Sequence, residues 1–222
     1  MDVVEAIRSR KSIRGFKPGP VPKEVLREIL DIARSTPSAM NTQPWNITVI
    51  TGEVLDSIRK SNIEMLAAGV EANPDLPSIP YEGIYRQRQV DLGIQIFKLM
   101  GIAREDKAKR AEWRERGFRF FDAPAAIILS MDRSIDKLLS HLDIGAISQT
   151  ICLAALNYGL GTCIESQGAM YPGILREFTP IPESDEILIS IAIGYPDWDF
   201  PANKLETKRE PLENLVTWRG FD

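Results

Sequence analysis

Pro37-Ser38-Ala39-Met40-Asn41-Thr42-Gln43-Pro44-Trp45 is the segment whose reading decides the fold, because of what flanks it at a distance. Upstream lies Arg10-Lys11-Ser12-Ile13-Arg14, and near the far end of the chain lies Thr207-Lys208-Arg209-Glu210-Pro211. Arg and Ser together suit a phosphate monoester, since a guanidinium fork supplies parallel charge-assisted donors and a hydroxyl adds another. Either basic cluster alone reads as solvated charge, because charged side chains mostly stay exposed. Order and spacing turn the three segments into one candidate site, in which Asn41 offers both a donor and an acceptor.

The rest of the composition narrows the function classes. A chain of 222 residues with 44% hydrophobic and 26% charged residues fits a single globular domain with a sizeable core. The net charge of −4, with no basic stripe to offset it, argues against nucleic-acid binding, which draws its affinity from cations that displace counterions. The start, Met1-Asp2-Val3-Val4-Glu5-Ala6, is too acidic for a signal peptide, and no window approaches the ~18 apolar residues of a membrane span. The expected localisation is therefore cytoplasmic, with no membrane partner. Cys152 and Cys163 lack a Cys-x-x-Cys spacing and sit among Ile, Leu and Ala, so they read as buried, reduced thiols. His141, the single histidine, has no neighbour with ligand or triad spacing, which leaves no metal site to assign.

Hydrophobic periodicity supplies the elements. Asp2 caps a first helix with Val3 and Ile7 on one face, and Val25, Leu26, Ile29, Leu30 and Ala33 form the buried stripe of a second. Asn46 to Thr51 alternates and is β-branched, which predicts a strand, and a helix follows around Val54 to Ala68. Residues 70–85 carry Pro74, Pro77 and Pro80 and read as an irregular excursion of the kind that forms lids. Helices are predicted from about Arg86 to Met100 and from Glu105 to Phe120, then a buried strand from Ala125 to Met131. His141 to Tyr158 is apolar on nearly every face and rich in small residues, so it is a buried helix that lets another approach closely. Ile187 to Ile193 is a core strand and Leu215 to Trp218 a short final one.

The three segments together resemble the FMN-dependent nitroreductase family: a basic-Ser-x-Arg-x-aromatic element from Arg10 to Phe16, an unbroken Pro-Ser-x-x-Asn-x-Gln-Pro-Trp, and a closing Arg-x-Pro at Arg209-Glu210-Pro211. The resemblance spans the whole chain. Tyr171-Pro172, Pro201-Ala202-Asn203 and Trp218-Arg219-Gly220-Phe221 are similar to the nitrobenzoate-reductase subgroup. It implies an α+β nitroreductase-like fold, a single domain over residues 1–222: a central mixed, mostly antiparallel sheet flanked by helices, in an intertwined homodimer with C-terminal strand exchange. Residues of about 70–120 would form a helical excursion over the active site.

The same resemblance implies site residues. Arg10, Lys11, Ser12 and Arg209 would bind the FMN phosphate; Lys208 stands one place later than the lysine most members carry. Arg14, and with it Arg119, would set a positive charge near the N1 and O2 edge of the flavin. Pro37, Ser38, Ala39, Met40 and Asn41 would reach across the dimer to the partner's cofactor, and Glu165 or Ser166 would present a backbone N–H to flavin N5. No side chain is expected to act as a catalytic nucleophile: FMN carries a hydride from NAD(P)H to a nitroaromatic or related oxidised aromatic compound in a two-electron, ping-pong cycle. Ile79, Tyr81, Ile84, Tyr85, Trp113 and Phe118 are candidates to shape the substrate pocket. NADH and NADPH remain equal alternatives at this stage. Reductive dehalogenation, ene reduction and non-catalytic flavin binding are the competing readings, though the deiodinase Glu-x-x-x-Tyr lid element is one residue short in Glu82-Gly83-Ile84-Tyr85.

Overall fold

The computed structural model describes residues 1–221. Within them, four strands, β1 (Asn46–Thr51), β2 (Ala125–Asp132), β3 (Gly161–Glu165) and β4 (Asp185–Gly194), form one sheet in the order β1-β2-β4-β3. All three pairings are antiparallel, and the parallel element is a single bridge from Ser12 to Thr162. Around the sheet lie α1 (Val3–Ser9), α2 (Lys23–Ala33), α3 (Gly52–Ala67), α4 (Gly83–Leu99), α5 (Lys107–Phe118), α6 (Lys137–Leu156) and α7 (Pro172–Phe178).

β2 shows why the architecture is layered. Its side chains alternate between faces with the period of two that a pleated strand imposes. Ala125, Ile127, Leu129 and Met131 join the cluster built with Leu26 and Ile29 of α2 and Ile144, Ile147 and Ile151 of α6. Ala126 and Ile128 face the other cluster, with Leu55 and Ile58 of α3 and Ile174 and Leu175 of α7. A strand covered on both faces has no polar side to show, which is why it reads as one apolar run.

The predicted helices and the strands β1, β2 and β4 form close to their expected places. Asp2 caps α1 by accepting from the Glu5 amide at 2.9 Å. β3 was not anticipated as a strand. The final strand over Leu215 to Trp218 does not form within this chain: Leu212–Asn214 is a tight turn, and Leu215 and Trp218 stay exposed beyond it. α6 buries Ile144, Ile147, Ile151 and Ala155 but leaves Leu138, Leu142, Gly145 and Ala146 uncovered on the opposite side. Contrary to the sequence reading, it is long and apolar enough to cross a membrane by length and composition. Its packing against α2 and β3, and the buried Asp143 on it, tie it into the core instead.

The excursion before α4 is tethered. The Tyr171 hydroxyl donates to the Val70 carbonyl at 3.0 Å, and the Asn73 amide donates to Met170 at 3.2 Å. Asp75 then sits between Arg133 at 2.8 Å and Arg176 at 2.5 Å, and accepts from the Ile187 amide at 2.9 Å. Burial opposes the Asp75 charge, but that amide and the two guanidinium groups outweigh it and hold its carboxyl below the ordinary value. Past this anchor the chain is open, with Ile79 and Tyr81 exposed up to the start of α4 at Gly83.

Candidate active site

The two ends of the sequence meet. Arg10, Lys11, Ser12, Arg14, Thr207 and Arg209 line one cavity of about 260 Å³, closed on its apolar side by Leu92 of α4 and by Leu205. Among the described residues Arg10, Lys11, Arg14 and Arg209 make no ion pair with any carboxylate. Arg209 is oriented by its own neighbourhood, donating to the Thr207 carbonyl at 3.1 Å and to the Thr207 hydroxyl at 2.5 Å. A cavity walled by unpaired cations and a hydroxyl has the donor set that suits a phosphate monoester.

The backbone beneath these residues is fixed at several points. Ile13, between Ser12 and Arg14, is only 2% exposed, and its amide donates to the Thr162 carbonyl of β3 at 2.9 Å. β3 begins with Gly161 because a Cβ there would run into the Ile13 side chain. Asn203, 1% exposed, is a clamp; the sequence reading names it only within Pro201-Ala202-Asn203 and gives it no role. Its side-chain oxygen accepts from the Arg14 amide at 2.7 Å, and its side-chain nitrogen donates to the carbonyls of Gly15 and Asp197, each at 2.7 Å. The Arg14 guanidinium donates to the Ser12 carbonyl at 3.4 Å and lies 6.0 Å from the Phe121 ring centre.

Phe121 belongs to an unusual turn. Phe120, Phe121 and Asp122 have φ of 55, 53 and 58°, three successive left-handed residues without a glycine. Such conformations cost of order 1–3 kcal/mol each and gather at functional sites. The turn persists because Arg116 and Arg119 both pair with Asp122, and because Arg59 donates to the carbonyls of Arg119 and Ala123. Arg119 is therefore spent on Asp122 and Glu115 and does not line the cavity. Its neighbour Arg116 lies closer, donating to the Arg14 carbonyl at 3.2 Å. Lys208 lines the adjoining groove with Arg88 and Glu210, which shares Leu92, Thr207 and Arg209 with the cavity.

This architecture has close counterparts. The chain matches the Nitroreductase family over residues 7–195. The 4-nitrobenzoate reductase of Pseudomonas putida is 34% identical over 223 residues, an alignment spanning 100% of this chain and 97% of that protein. The chain belongs to the nitroreductase family. Its fold is that of the FMN and NADPH-dependent nitroreductase NfnB from Sphigopyxis sp. strain HMH, with a TM-score of 0.94 at 29% identity over 100% of both chains. NfnB from Mycobacterium smegmatis, solved in complex with NADPH, gives a TM-score of 0.91 at 25% identity, covering 98% of this chain and 97% of that one.

Two further segments of this nitroreductase were singled out in the sequence. Met40, Asn41 and Gln43 all have left-handed φ, of 50, 57 and 47°, and Met40 is 99% exposed. The segment is pinned at its base: Ser38 accepts from the Gln43 amide at 2.9 Å, and the Asp143 carboxylate of α6 accepts from the Ala39 amide at 3.2 Å. Pro37 and Asn41 are exposed, and none of Pro37 to Asn41 lines the cavity between the chain ends. Glu165 ends β3 with its side chain buried, where Ser190 and the Gly168 amide donate to it. Burial pushes its carboxyl up to about 7, against those donors. Its role is to shape the Ser166–Gly168 loop, and Ser166 remains exposed. Of the residues expected to form a substrate pocket, Ile79, Tyr81, Ile84 and Tyr85 are exposed, Trp113 packs on Phe121 and Phe118 on Tyr171. Cys152 and Cys163 are buried free thiols, and burial raises the Cys163 thiol to about 12. No cluster of metal-binding side chains occurs among the described residues.

Proposed function

We propose that this protein is an FMN-dependent NAD(P)H oxidoreductase that reduces nitroaromatic compounds, with the cavity of Arg10, Ser12, Arg14 and Arg209 as the seat of the FMN phosphate. The observation that carries the reading is the meeting of unpaired cations from opposite ends of the chain around one small cavity. When bound, FMN supplies the redox chemistry, taking electrons in pairs from NAD(P)H and passing them to the acceptor. Arg10, Ser12 and Arg209 hold its phosphate by charge-assisted hydrogen bonds. Arg14 directs its charge toward the ring, where it favours the extra negative charge of the reduced cofactor. Its backbone is held by Asn203, so the charge is placed in advance and needs no reorganisation. No side chain acts as nucleophile, and water supplies the proton.

The enzyme works as a homodimer with composite sites. A cavity of about 260 Å³ falls short of the ~300–1,000 Å³ of a whole small-molecule site, which suits a site that a second copy completes. The uncovered face of α6, the exposed Val3, Val4 and Ile7 of α1 and the exposed Leu215, Trp218 and Phe221 are apolar surface for that copy. The sheet ends on β1, an open edge that can accept the partner's C-terminal segment as an exchanged strand. Ser38 to Asn41 then serve the partner's cofactor. The two buried free cysteines agree with a cytoplasmic enzyme.

Purified protein should release FMN on denaturation, identified by chromatography. With NADPH and 4-nitrobenzoate as the varied pair, initial-rate lines should be parallel. Release of FAD, or no flavin after reconstitution, would overturn the assignment; intersecting lines would overturn the ping-pong order alone.

A further inference from the structure

The net charge of −4 conceals a local excess of the opposite sign. Two grooves, of about 750 and 770 Å³, run along α4 and α5 and share Phe97, Arg104 and Arg110, so they form one continuous cleft. Arg86, Lys98, Arg104, Lys107, Arg110 and Arg114 line it, and no Asp or Glu does. Among the described residues none of the six makes an ion pair, although α5 itself carries Glu112 and Glu115. Arg110 lies 4.6 Å over the Phe97 ring and donates to the Arg104 carbonyl at 3.4 Å. A guanidinium stacked on an aromatic face is pre-ordered, with donors left free at its edge.

The cleft adjoins the flavin cavity. Leu92 of α4 faces that cavity while Val90, Gly93 and Phe97 of the same helix face the cleft, so the two are about one helix diameter apart, ~10 Å. On the other side Trp113 lines the cleft and packs 6.3 Å from Phe121, the ring that neighbours Arg14. We propose that the cleft between α4 and α5 seats the phosphorylated adenosine end of NADPH and selects it over NADH. A carboxylated nitroaromatic carries one charge and one ring, too little for six unpaired cations and two joined grooves. A dinucleotide phosphate brings a flat base for Phe97 or Trp113, a diphosphate and a further 2′-phosphate. The inference rests on the proposed NAD(P)H oxidoreductase function.

The test uses the FMN-loaded dimer, with adenosine 2′,5′-bisphosphate as a binding probe and both nicotinamide cofactors as electron donors. The probe should bind, more weakly as salt rises, and 5′-AMP should bind less tightly. In the Arg104→Ala/Arg110→Ala variant, FMN content and melting temperature should match wild type while probe affinity falls roughly tenfold or more, the scale of a charge-assisted hydrogen bond. The ratio of kcat/KM for NADPH to that for NADH should fall with it. Equal wild-type kcat/KM for the two donors, or probe binding untouched by the double substitution, would overturn the proposal. So would a raised KM for 4-nitrobenzoate with the donor ratio unchanged, which would make the cleft a substrate site. Absence of FMN or of nitro reduction with either donor would instead overturn the functional reading, and probe binding would still decide whether the cleft takes a phosphorylated nucleoside.

Discussion

Replacing Asn203 by leucine keeps the volume of the side chain but strands three backbone groups: the Arg14 amide and the carbonyls of Gly15 and Asp197. A buried polar group left without a partner costs about 1–3 kcal/mol. Water reaches part of this loop, since Asp197 and Arg14 are only partly buried, so the sum should be about 3–5 kcal/mol of stability. For a chain of this length that lowers the melting temperature by about 10 °C. The loss should extend to cofactor binding, because the same substitution frees the Arg14 backbone, and FMN affinity of the surviving fold should fall about tenfold or more. Thermal melts of apoprotein and fluorescence titration with FMN read the two effects separately. Asn203→Asp is the informative companion, since it keeps the acceptor for Arg14 and loses both donors. An Asn203→Leu variant that melts within about 2 °C of wild type and binds FMN normally would refute the clamp.

Glu165 gives a pH signature. Its carboxyl is raised to about 7 in the fold against an ordinary 4.5, so the folded protein holds a proton that the unfolded chain releases. The stabilisation is complete below the ordinary value and is lost as pH rises through about 7, in total about 3 kcal/mol. Denaturant titrations should find Glu165→Gln gaining on wild type over that window; a constant difference would contradict the burial argument. Asp75 behaves oppositely, its contribution present above the ordinary carboxylate range and lost in acid. Asp75→Ala leaves the buried Arg176 without that partner and should cost about 3–5 kcal/mol, with faster proteolysis at 76–82 as a second readout; an unchanged melting curve would remove the anchor. Truncation after Glu206 should abolish both dimer and FMN binding in sedimentation and absorbance, and a dimeric yellow product would disprove the wrapping role of the C-terminal segment.

What the sequence revealed and what it concealed divide along a physical line. β1 and β2 were legible because a half-covered strand alternates and a fully covered one is continuously apolar. Arg10, Ser12 and Arg209 were recognised through motif resemblance, and the structure brings them to one cavity. β3 was missed because its five residues begin with glycine, and the reason for that glycine is contact with Ile13, which lies far away in sequence. Arg119 and Arg116 stand three residues apart at one helix end and both pair with Asp122, and only the left-handed turn after them decides that Arg116 is the one that also reaches the Arg14 carbonyl. That turn has no sequence signal, since three non-glycine residues with positive φ defy local propensity. The last segment, Leu215 to Trp218, lacks a strand partner within a single chain, as pairing supplied by another subunit would require.

The most direct test compares FMN with riboflavin, which differ only in the phosphate, by titrating apoprotein and measuring both affinities in wild type and in Arg209→Ala. Charge-assisted hydrogen bonds of about 1.5–3 kcal/mol each should make FMN at least ~100-fold tighter in wild type. Arg209→Ala should narrow that gap by about tenfold or more while leaving riboflavin binding unchanged. Equal affinity for the two flavins, or a gap that Arg209→Ala does not narrow, would contradict the assignment of the cavity between the chain ends.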